Sequence, residues 1–261
     1  MKKKHLIPIM LIFIGLATIS FMAKDGVTLR LRPQQDKTYT ITTKANTMTV
    51  MEVQGQSMNQ TQVLETRQIF TPKTVTEAQS VLETQIEAVK MSLSQMGMKL
   101  EYDSEHPEKN SPMLAGQTKE MEKYLNQSVT VTYDALGNLV GDSINLEMNQ
   151  LSSAIIELPE QELSVGSTWN SNKTQSIGKN EIEIKMNYTV TAVSKKSVDV
   201  SFIGTIESKD IEGTYEGTAS LNPQTGLISK SSTKSNFSMT IEEQGLSIPM
   251  TTVGNTTIEV K

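Results

Sequence analysis

The chain has 261 residues, with 24 Lys and Arg against 29 Asp and Glu for a formal charge of −5, no cysteine, two histidines and only 5% aromatic residues. The missing cysteine excludes disulfides, thiolate nucleophiles, thiolate-ligated metals and a lipoprotein acylated at cysteine. An acidic chain without a Lys/Arg cluster interleaved with aromatics is also unsuited to a phosphate backbone, so nucleic acid is not expected as a partner.

Lys2, Lys3 and Lys4 precede an uncharged apolar run from Leu6 to Ala23. Together they have the n-region and h-region of a secretory signal peptide, predicted over 1–23. Pro8 and Gly15 inside the run argue against a durable membrane anchor. Cleavage would remove three lysines, no acids and His5, leaving a charge near −8. The expected location is periplasmic or secreted, with membrane contact only through the signal segment before cleavage.

Beyond it, apolar and polar residues alternate with a period of two, the pattern of antiparallel sheets with one wet face. Val27, Leu29 and Leu31 read as a first strand ended by Pro33. A second run starts at Tyr39 and Ile41 and passes Met48, Val50 and Val53 before Gly55. Glu77 to Leu93 is ambiguous, because Leu82, Ile86, Val89 and Leu93 have helical spacing while Val89, Met91 and Leu93 alternate. Pro112 to Asn126, with Ser111 as N-cap, and Ile144 to Leu158, stopped by Pro159, are predicted helices. Ile182, Ile184 and Met186 continue into Tyr188, Val190 and Ala192, turn at Ser194–Ser197, and return as Val198, Val200 and Phe202. Further strands flank Asn222–Gly226, where Pro223 presets one turn dihedral and Gly226 accepts a positive φ. The last two run from Phe237 to Ile241 and from Ile248 to Val260.

The halves echo each other. Lys37–Tyr39 and Gly166–Trp169 each open a meander, and Tyr133–Leu139 and Leu221–Leu227 each close one with a turn containing Asp or Asn and then Gly. The expected fold is therefore mainly β, an α+β protein of long curved antiparallel meanders in two similar units with about two helices. The first unit spans 24–141 with a helix near 112–126, a helix over 142–158 connects, and the second unit spans 159–261.

Met98–Pro107 with its Tyr102-Asp-Ser segment, Pro159 before Val165-Gly-Ser-Thr-Trp169, and the Thr225-Gly226 turn resemble landmarks of a family of exported bacterial proteins of unknown function. The resemblance runs over nearly the whole mature chain and brings no catalytic residues. It implies that Val81 to Leu93 continues as strand towards Tyr102. By looser analogy the architecture is similar to envelope half-barrels that carry lipids or lipoproteins, where a curved sheet leaves an apolar cleft; such an analogy concerns fold alone.

The residues with chemical potential are few. Lys99–Asn110 gathers four carboxylates around His106 but has neither the glycine nor the spacing of an EF-hand loop, and His106 lacks a second histidine to share a zinc. It reads as a bend, with His106 held out of helical geometry by Pro107. No nucleophile elbow accompanies it, and no cofactor or metal site is expected. Methionine is abundant, with 15 in the chain. Its polarizable, unbranched side chain fills irregular cores or lines adaptable apolar sites, and copper ligation by thioethers lacks a short-spaced motif here. Trp169 reads as a core anchor. A non-catalytic envelope protein binding an apolar small molecule or lipid is the preferred reading, with Ile182, Ile184, Met186, Val200 and Phe202 as cleft candidates. The alternatives are a structural or interaction module with a filled core, recruiting an envelope protein, and a hydrolase using carboxylates.

Overall fold

The computed structural model describes residues 26–53, 55–141, 154–177, 180–243 and 246–261. Eleven strands form one antiparallel sheet: β1 Tyr39–Val53, β2 Gln56–Val75, β3 Gln79–Gln95, β4 Met98–Asp103, β5 Ser128–Asp134, β6 Thr168–Ile177, β7 Asn180–Val193, β8 Val198–Glu207, β9 Ile211–Leu221, β10 Ile228–Glu243 and β11 Leu246–Val260. The order is β4-β3-β2-β1-β11-β10-β9-β8-β7-β6, with β5 also on β3 beside β4. Chain-order hairpins build each meander. The pairing of β1 with β11, running from Ile41 opposite Val260 to Met51 opposite Met250, joins them.

Neighbouring strands lie about 4.8 Å apart, so a flat sheet of this order would hold β5 and β6 roughly 40 Å from each other. Yet Val131 and Tyr133 on β5 share one buried cluster with Trp169 on β6. The sheet therefore curls, and two extended segments fill its hollow at one end. Val27–Arg32 and Ala154–Leu163 are tied by reciprocal 2.8 Å backbone bonds between Val27 and Leu163. Leu29, Leu31, Ala154 and Leu163 are completely buried there. Each large aliphatic side chain so enclosed contributes about 1.5–3 kcal/mol. Arg30 fastens the segments together, donating to the carbonyl oxygens of Pro159 and Glu160 at 3.1 Å. Curling does not close a barrel: β6 pairs only with β7 among the described residues.

Two turns, one after β5 and one between β9 and β10, grip these inner segments. Gly137 and Gly226 have φ of 81° and 70°, a conformation glycine adopts without a steric cost. A Cβ on Gly137 would lie 2.5 Å from the Ile156 carbonyl oxygen, and one on Gly226 would overlap the Arg30 backbone. Aromatic pairs at the opening of each meander also match. Tyr39 stacks on Phe70 at 4.9 Å, and Trp169 on Tyr188 at 4.8 Å.

Three expectations are corrected. In place of about two helices, the described residues contain two single 3-10 turns, Pro107–Lys109 and Pro112–Leu114, and one eight-residue helical segment, α1 Ala115–Glu122. Ser111 is extended and bonds to β4, its Oγ accepting from the Glu101 amide at 2.9 Å. Of the second predicted helix, 144–153 fall outside the described residues, while Ile155 and Leu158 are buried in an extended stretch whose Leu158 amide donates to Leu136. Their spacing reports core contact rather than a helical face. Val27–Leu31 is likewise an inner segment and not a strand of the sheet. Finally, the β strands of both halves form one sheet.

The ambiguous stretch 77–93 is β3. Its buried residues alternate as Ser80, Leu82, Thr84, Ile86 and Ala88, then change step to Val89, Met91 and Leu93. The pairing with β2 slips between Arg67 and Gln68, which inserts one residue at this point. A bulge changes a single step from two or four to three. The spacing of Leu82, Ile86, Val89 and Leu93 thus imitates a helix.

Candidate functional site

Side chains of a strand alternate between faces, so register assigns every position to one side of the sheet. The side that meets the inner segments carries Ala45, Thr47, Thr49 and Met51 on β1, opposite Leu64, Gln62, Gln60 and Met58 on β2 and Thr256, Gly254, Thr252 and Met250 on β11. It continues through Ser235, Phe237 and Met239 on β10 to Tyr215, Gly213 and Ile211 on β9. Gly204 and Ile206 on β8, then Met186 and Ile184 on β7, extend it further. Among the residues whose side chains are described, no Asp, Glu, Lys, Arg or His occupies this face from β4 to β7, and Lys173 on the edge strand β6 is the first charge to do so. The opposite face takes the charges, including Lys44, Glu52, Glu65, Arg67, Glu183, Lys185, Glu212, Glu216, Lys230, Lys234 and Glu259.

The neutral face has a filled and a less filled part. Near the inner segments its residues join the main core. On the β3–β4 side, Leu114, Met121 and Leu125 cover Val89, Met91, Leu93 and Tyr102. Met51, Met58, Ile211, Tyr215, Phe237, Met239 and Met250 belong to neither buried cluster and are half-buried.

Glycines flatten the face, both here and where it borders the main core. Phe237 lies across Gly213, Met186 across Gly204 and Phe202 across Gly217, where a Cβ would meet the Phe202 ring at 2.6 Å. A large side chain covering a cross-strand glycine restores the apolar surface the glycine lacks. Tyr215 packs edge-on to Phe237 at 5.0 Å, and burial raises its phenol pKa. The result is a floor of rings, thioethers and short hydroxyl or amide side chains.

All five sequence candidates lie on this face. Val200 and Phe202 belong to the main core, and Met186 packs against it. Ile182 is buried and Ile184 half-buried towards the far end of β7. The sequence reading did not gather the residues of β1, β9, β10 and β11 that lie across the floor. Their alternation was visible, as in Ser235, Phe237, Met239 and Ile241, but their neighbours depend on register.

The acidic stretch around His106 faces the other way. Glu105 accepts from Arg67 at 2.7 Å and pairs with Lys90 at 3.0 Å, while Lys90 also reaches Asp103 at 3.3 Å and Arg67 reaches Glu87 at 3.1 Å. The Arg67 hydrogen bond, aided by Lys90, holds the Glu105 carboxyl down to about 2. His106, half-exposed, sits 3.6 Å from Glu108. These groups brace the turn between β4 and the first 3-10 turn. Among the described residues, no group of three or more His, Cys, Asp or Glu could hold a metal. No described helix is long and apolar enough to cross a membrane.

A family described as being of unknown function (DUF6263) matches residues 144–228. That span includes Val165–Trp169 and the Thr225-Gly226 turn, but not the Tyr102-Asp-Ser segment, so the resemblance is narrower than the sequence landmarks implied. No curated protein matches. Among solved structures, a lipovitellin structure titled for its lipid–protein interactions aligns with 87% of this chain at 11% identity and a TM-score of 0.49; the chain spans 25% of that protein. An outer membrane channel from Pseudomonas putida F1 aligns over 88% of this chain and 98% of its own at 6% identity, with a TM-score of 0.25. Neither likeness bears on function.

Proposed function

We propose that the neutral face binds an apolar, uncharged ligand of the acyl-chain class, and that the protein acts as a non-catalytic envelope carrier or store. The separation of charge between the two faces carries this reading. A sheet that is wet on both sides has no reason to keep carboxylates and ammonium groups off one of them across strand after strand. A face that contacts hydrocarbon does, because a buried unpaired charge is costly. Sites for small ligands are concave and carry uncharged polar groups among apolar ones, and this floor mixes rings and thioethers with hydroxyl and amide side chains but no charge.

Two other readings find less support. Strand addition at the free edge of β6 is opposed by Lys173, which register places on the neutral side of that strand, 3.9 Å from Glu157. Inward charge on an edge strand is a known device against edge pairing. Hydrolysis by paired carboxylates would need them in the hollow, whereas Glu87 on β3, Asp103 on β4 and Glu105 just beyond it are ion-paired on the opposite face.

Native mass spectrometry and organic extraction of protein purified from its own envelope test the proposal. Co-purifying lipid is expected, and Phe237→Glu, which puts a carboxylate on the floor, should abolish it without unfolding the protein. Folded wild-type protein that carries no lipid and fails to take up an apolar fluorophore would sink the idea.

A further inference from the structure

Methionine was abundant in the sequence without forming a motif, and the fold supplies the missing arrangement. Met58 on β2 is the register partner of Met51 on β1, Met51 of Met250 on β11, and Met250 of Met239 on β10. Four methionines on four adjacent strands thus form one row across the neutral face. All four are half-buried, reachable from solvent and outside both core clusters.

We propose that this row is a binding site for a soft monovalent cation, Cu(I) or its stable analogue Ag(I), ligated by three neighbouring thioether sulfurs with Met51 and Met250 at the centre. Directly opposed side chains have Cβ atoms about 4.5–5.5 Å apart. Three rotatable bonds allow each sulfur to lean towards its neighbour. The inward curl of the sheet brings side chains on this face closer together than their backbones. Thioethers select soft cations, and among the described residues the positions next to the row on this face of each strand carry no carboxylate or imidazole, the ligands that zinc, calcium or magnesium prefer.

Other described methionines are placed elsewhere. Met91 is buried, its sulfur accepting from the Gln62 amide at 3.1 Å. Met186 lies over Gly204. Met96 and Met98, 71% and 51% exposed, sit at the β3–β4 turn and serve as internal controls. The site does not depend on the ligand proposed above, since Met→Leu keeps the floor apolar and removes only sulfur.

The test is titration of purified protein, labelled with 13C at its methionine methyls, with Ag(I) in chloride-free buffer. One equivalent should saturate shifts of the Met51, Met58, Met239 and Met250 methyls while Met96 and Met98 stay in place. The double variant M51L/M250L should weaken binding more than about a hundredfold, beyond the 10- to 100-fold typical of losing an outer-shell partner. Its melting temperature should stay near wild type, because Leu and Met are close in volume. Shifts spread equally over Met96 and Met98, no saturation at one equivalent, or unchanged affinity in M51L/M250L would overturn the site. The wild-type spectrum decides the matter even if the variant folds poorly.

Discussion

Replacing Gly137 with alanine tests whether the meander turns clamp the inner segments. Gly137 has φ 81°, and an added Cβ would lie 2.5 Å from the Ile156 carbonyl oxygen and 3.1 Å from Ile155 Cγ2. Gly97, in the β3–β4 turn, has a similar φ of 78° but open space within 4 Å of its Cβ position. Both substitutions incur the left-handed penalty of about 1–2 kcal/mol. Only Gly137→Ala must also push away the 154–163 segment, an overpacking cost of about 1–3 kcal/mol. Gly97→Ala is therefore expected to lose about 1–2 kcal/mol and Gly137→Ala about 2–5 kcal/mol. For a chain of this size each kcal/mol moves the melting temperature by about 2–4 °C, so urea and thermal denaturation followed by circular dichroism should separate them clearly. Equal losses in the two variants would mean that the turn does not hold Ile156, and the clamp would have to be abandoned.

The remaining predictions concern other parts of the sheet. Because the Glu105 carboxyl is held at about 2, below its ordinary 4.5, its contribution to stability is fully present above about pH 4.5 and disappears as the pH falls towards 2. The acid limb of the urea midpoint should flatten in Glu105→Gln, and high salt should shrink the difference; superimposable acid limbs would contradict the ion-pair network. Trp169, 7% exposed with its Nε1–H donating to the Glu157 carbonyl at 2.9 Å, should emit to the blue of the unfolded chain and resist iodide quenching. Trp169→Phe should cost about 1–3 kcal/mol in denaturant titrations because it leaves that carbonyl unpaired. Lys173→Val removes the inward charge of the β6 edge, and size-exclusion chromatography should then show concentration-dependent oligomers absent from wild type.

Much of the sheet could be read from alternation alone. Ile182, Ile184 and Met186 alternate with Glu183 and Lys185, and this pattern told both strand and face. Reading failed where one physical signal had two sources. The bulge opposite Arg67 and Gln68 gave β3 a helical spacing. Leu29 and Leu31 alternate because both point into the core from an extended segment, a pattern a sheet strand would also show. Ile155 and Leu158 are buried three residues apart on a segment held by Leu136 and Gly137, where contact with the turn and not helical pitch sets the spacing.

The methionine row was illegible for a different reason. Met51 and Met58 are linked by a hairpin, but Met250 joins them only because β11 pairs with β1, a contact between strands far apart in the sequence. Nothing near Met250 encodes that partner. The register is set at the other end of the same strands, where Ile258, 7% exposed, lies opposite Thr43 inside the main core and the Thr40 amide donates to the Lys261 carbonyl at 2.9 Å. A slip of one residue would turn Ile258 onto the charged face and Glu259 into the core, a costly exchange. Core burial at the filled end therefore fixes which side chains meet at the less filled end, some eight residues up the same ladder. The floor inherits its geometry from the core at the far end of the same strands.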